Sequence, residues 1–132
     1  MEDIYLQAAA IVVAVISVLI AIFQFMLFLG LPLADYSWGG KYQGVLPKRM
    51  RYLSLPSALL LLSFGFIFLI HTRIFSFEFD LPTNFFVWTI TIFMGLNTLG
   101  NLASKSTKER IVMTPLACTM FISCLFVLIF SK

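Results

Sequence analysis

Ile4 to Gly30 reads IYLQAAAIVVAVISVLIAIFQFMLFLG, 27 residues without one Asp, Glu, Lys or Arg. As a helix rising 1.5 Å per residue it is roughly 40 Å long, against about 30 Å of hydrocarbon, so it crosses a membrane and tilts or protrudes. Along it Gln7, Ala10, Ala14, Ser17, Ala21 and Gln24 recur at steps of three and four. Lipid gives apolar side chains no reason to prefer each other, and membrane helices associate where small residues let backbones approach. This face is therefore expected against another helix. A second copy of the chain, docked through Ala10, Ala14, Ser17 and Ala21, is one candidate neighbour.

The rest of the chain follows the same reading. Of 132 residues 61% are hydrophobic and 11% charged, with a mean hydropathy of +1.00; a soluble domain has about 25% charged residues. Further apolar stretches at 53–70, 85–103 and 108–130 complete an all-α membrane protein, a four-transmembrane-helix bundle forming one domain over 1–132. Pro56 falls in the first turn of span two, where proline is tolerated. Pro115 lies inside span four and frees the carbonyl of Ile111. Ser106 to Glu109 has the spacing of a capping box that starts span four. Phe75 to Asp80 alternates aromatic and polar residues and reads as an extended interfacial loop, with Phe75, Phe77 and Phe79 at the headgroup boundary. Met1-Glu2-Asp3 is acidic where a secretory signal would be basic, so span one is expected to be retained.

The one long interruption is Gly30 to Arg51, GLPLADYSWGGKYQGVLPKRMR, which holds four of the nine basic residues. Residues 31–52 form loop one. With four spans, loops one and three share a side. They carry Lys41, Lys48, Arg49, Arg51, Lys105, Lys108 and Arg110, seven cations against Arg73 and Lys132 on the other side. The positive-inside rule puts both loops in the cytoplasm and both termini outside.

Counting inward from that side at 1.5 Å per residue, Gln24 and Asn97 come out roughly 10 Å deep and Asn101 about 3 Å. The opposite halves of the spans are almost wholly apolar. Buried amides need partners in lipid, so these three either glue the bundle together or floor a polar cleft under the loop. Gln24, Trp38, Lys41, Arg49, Arg51, Asn97, Asn101 and Lys105 are the candidate ligand-binding residues. Gly39, Gly40 and Lys41 could cradle an anion, and Trp38, Tyr36 and Tyr42 also suit a membrane interface. His71 falls at the far boundary.

Neither a nucleophile with its base nor a metal-ligand spacing is visible, and no catalytic residue, metal or cofactor is assigned. Asp35 and Glu109, the carboxylates on the basic side, are accounted for by a turn and by capping. Cys118 and Cys124, six residues apart on one span, point different ways and read as small core residues. The net charge of +3 reports basic loops on an anionic membrane surface, with lipid headgroups as partners and no nucleic acid. The expected function is non-enzymatic: binding of a lipid headgroup or a small polar or anionic ligand in a cleft open to the cytoplasm. A subunit of an oligomeric transporter or channel, and a lipid-phosphate enzyme, are the alternatives.

At Trp38 to Arg51, WGGKYQGVLPKRMR, and Leu96 to Arg110, LNTLGNLASKSTKER, the sequence resembles a group of small, uncharacterised bacterial membrane proteins of four predicted helices. The similarity covers most of the chain. It implies a bacterial cytoplasmic membrane and carries over no functional residue.

Overall fold

The computed structural model describes residues 2–76 and 80–131. Four helices, α1 (Glu2–Phe28), α2 (Lys48–His71), α3 (Thr83–Leu102) and α4 (Thr107–Phe130), are each long and apolar enough to cross a membrane. Among the described residues no strand occurs. The expected loop at 75–80 lies partly outside them. Phe75 turns back so that its N–H reaches the carbonyl of Leu69 and its ring lies beside Phe66.

The helices are apolar all round, and many of their large side chains, among them Ile11, Leu19, Leu59, Trp88, Ile92, Leu96 and Ile129, point outward. Such a surface is stable only where the surroundings are hydrocarbon. The interior is a stripe on each helix: Ala10, Val13, Ser17 and Ala21 on α1, Ser54, Ala58, Leu61, Gly65 and Phe68 on α2, Val87, Ile90, Met94 and Thr98 on α3. On α4 it comprises Glu109, Ala117, Met120, Cys124 and Val127.

The small-residue face of α1 is filled from within the chain. A β-carbon on Gly65 of α2 would lie 3.0 Å from the Cα of Ala14 and 3.3 Å from the Cβ of Ser17, so the two backbones meet at this glycine. Ser17 also turns its hydroxyl to the sulfur of Met120 on α4. α1 packs most extensively along α2 and α3 along α4; α1 meets α4 less extensively, and α2 meets α3 least.

Two boundaries differ from the sequence reading. α2 begins at Lys48, five residues before the apolar run, so Pro56 sits in its third turn rather than its first. Apolarity marks where a helix can enter lipid, and the turn from Lys48 to Tyr52 carries three cations, so hydropathy does not reveal that it is helical. The hydroxyl of Ser57 donates to the Leu53 carbonyl at 2.9 Å beside the proline. The second difference concerns Glu109. Ser106 accepts from its backbone N–H at 3.3 Å, but the N–H of Ser106 donates to Ser104 Oγ, so the carboxyl group does not close a capping box.

At the end opposite loops one and three, His71 lies 2.9 Å from Thr83 Oγ1 and 2.8 Å from Ser131 Oγ, joining the end of α2 to α3 and α4. Gln7 donates to the carbonyl of Thr72 there.

A candidate ligand cavity beneath the loop

Loop one is a folded cap with a small core of its own. Leu27, Ala34 and Leu46 are buried together, with Phe23, Leu33, Tyr42 and Met50 against them. The N–H of Ala34 donates to the carbonyl of Gly44, closing the loop on itself. Two short 3₁₀ turns, Ala34–Tyr36 and Trp38–Gly40, form the side facing the bundle.

This cap is fastened to loop three. Lys105 N–H donates to the Gly39 carbonyl, Ser106 Oγ to the Asp35 carbonyl, and Lys108 Nζ lies 3.5 Å from the Asp35 carboxylate. Gly40 has φ +81°, and a β-carbon there would stand 2.6 Å from the backbone nitrogen of Ser106. Only glycine allows both the left-handed turn and the approach. Trp38 takes a left-handed conformation as well, with φ +56°, a strained arrangement for a bulky residue.

Beneath the cap lies a cavity of about 340 Å³. Every helix contributes: Ile20, Phe23 and Gln24 from α1, Ser57, Leu60, Leu61 and Phe64 from α2, Phe93, Asn97 and Asn101 from α3, Glu109, Met113 and Ala117 from α4, and Tyr36, Ser37 and Trp38 from the loop. Three carboxamides, a carboxyl group and three hydroxyls, those of Tyr36, Ser37 and Ser57, therefore share one space. At one wall Phe64 and Phe93 meet edge to face, ring centres 5.4 Å apart.

Of the residues singled out from sequence, Gln24, Trp38, Asn97 and Asn101 line this cavity, whereas Lys41, Arg49, Arg51 and Lys105 do not. Lys41 and Arg49 are exposed, Lys41 with its Nζ 5.6 Å from the centre of the Tyr42 ring. Arg51 donates from Nε to the carbonyl of Phe28, satisfying an open carbonyl at the negative end of α1. Lys105 is exposed and meets the cap only through its backbone.

Glu109 enters the site instead. It is only 5% exposed, and its Oε1 is buried without a hydrogen-bond partner. Its neighbours do not neutralise it: Lys108 pairs with Asp35, and Arg110 donates to the Ser104 carbonyl and to Thr107 Oγ1. A signal for it existed in the sequence. Glu109, Met113, Ala117, Met120, Cys124 and Val127 recur at steps of four and three, so the inner stripe of α4 runs back to this carboxylate.

Among the described residues no group of three His, Cys, Asp or Glu side chains could hold a metal ion. Comparison with protein-family models, with curated proteins and with solved structures finds no match for this chain.

Proposed function

We propose that this is a non-enzymatic binding protein of a bacterial cytoplasmic membrane, holding a lipid headgroup or small polar ligand in the cavity beneath loop one. The observation that carries this reading is the meeting of Gln24, Asn97, Asn101 and Glu109 in one capped space. Bundle glue would have the amides bonded to one another; among the described residues none of these four side chains makes a hydrogen bond to another of them. Polar groups brought into a hydrocarbon layer and left without protein partners are suited to a ligand. The excess of cations on loops one and three supports a cytoplasmic position for the cavity and an external one for both termini.

The test is native mass spectrometry of protein extracted gently from membranes, with Asn97→Leu/Asn101→Leu beside the wild type. The wild type is expected to carry a lipid or small polar molecule, and the double variant to fold and lose it. A double variant that fails to fold would assign the amides to the scaffold.

A further inference from the structure

We infer that the cavity takes the primary ammonium headgroup of a membrane-borne amphiphile, which enters sideways between α2 and α3. The inference rests on the cavity being a ligand site, and it names the ligand's chemistry and route.

The chemistry follows from the lining. A buried carboxyl oxygen without a partner is a costly arrangement that a donor relieves, and a charge-assisted donor relieves it best. The cavity wall includes Glu109 and no Lys, Arg or His. An anionic headgroup would meet this carboxylate with no cation to offset it. A primary ammonium offers three N–H donors, enough for Glu109 Oε1 and for carboxamide oxygens of Gln24, Asn97 or Asn101. A quaternary ammonium brings the charge without the donors.

The route follows from packing. α1 packs most extensively against α2, and α3 against α4; α1 meets α4 less, and α2 and α3 meet least, with Phe64 and Phe93 among their contacts. The lining residues at that gap reach the outer surface: Leu60 is 48% exposed, Phe93 44%, and Asn97 is exposed as well. Toward loop one the cavity is covered by Tyr36, Ser37 and Trp38. An acyl chain leaving through the gap would pass Leu60 and Phe93 into hydrocarbon while its headgroup stayed inside.

The protein is reconstituted in phosphatidylcholine nanodiscs carrying equal small fractions of phosphatidylethanolamine and phosphatidylglycerol, and the lipid retained is identified by native mass spectrometry. Phosphatidylethanolamine is expected to be retained over both other lipids by about tenfold, and Glu109→Gln to abolish that preference. Leu60→Trp, at the rim of the gap, is expected to lower retention of phosphatidylethanolamine.

Equal retention of the three lipids by the wild type, or preference for phosphatidylglycerol, overturns the ammonium assignment. If Asn97→Leu/Asn101→Leu then releases whichever lipid is held, the cavity still stands as a site; if it releases none, the cavity reading falls too. Undiminished retention by Leu60→Trp overturns the lateral route. Binding of ethanolamine without retention of its lipid overturns the membrane-borne source.

Discussion

Gly40 and Glu109 stand on opposite sides of one junction, and each shows what a single residue contributes there. Gly40 lets loop one come within contact of the Ser106 backbone. Gly40→Ala would add strain at a left-handed φ and a clash with main chain, and is expected to cost about 1–3 kcal/mol of stability, read as a lower unfolding temperature in detergent. Gly39→Ala is the comparison, since its added β-carbon meets nothing within 4 Å, and it should cost less. Glu109 shows why one residue of the site escaped the sequence reading. A Ser-x-x-Glu spacing explains a glutamate locally, and that explanation is half met by the Ser106 hydroxyl. Gln24, Asn97 and Asn101 were legible because an amide inside a membrane span has no local explanation. The cations of loop one lie outside the cavity lining, and sequence does not show that Arg51 reaches back to the end of α1.

For the helices, the recurrence of small residues on α1 predicted a packed face, and its partner is α2 of the same chain. Gly65→Val would place two methyl groups against the Ala14 backbone and force α1 and α2 apart, destabilising the protein by about 1–3 kcal/mol. Denaturation of the variant in mixed micelles checks this, with Gly100→Val as the control because a β-carbon there meets nothing within 4 Å. The existence and order of the four spans were legible because hydropathy reports immersion in lipid directly. The start of α2 was not, because Lys48 to Tyr52 continue the helix outside the apolar run. Basic residues in a first turn oppose the helix dipole by a few tenths of a kcal/mol each, less than the roughly 1 kcal/mol that a cation gains near an anionic membrane surface.

At the scale of the molecule, orientation is the first thing to measure. A reporter fused to the C-terminus is expected to be active outside the cytoplasm and silent inside it, from the imbalance of seven cations to two across the bilayer. The gap between α2 and α3 could not be read from the chain, because a leucine or phenylalanine facing lipid and one lining a loose crevice look alike in sequence. Loop one could be read as an anomaly over the polar end of the spans, but not as a cap with its own core, since that depends on Leu27, Ala34 and Leu46 meeting across a turn.

The pairing of helices also carries a consequence for assembly. α1 with α2, and α3 with α4, form two hairpins joined along α1 and α4, like the boards of a book whose spine is that contact and whose fore-edge is the gap. Each hairpin can enter a bilayer as a unit, and until the two close, Gln24 is on one board and Asn97, Asn101 and Glu109 are on the other. The cavity therefore exists only where the two boards meet. A ligand of the proposed cavity would bind only the closed form, and would stabilise it by an amount that grows with the logarithm of its concentration over its dissociation constant.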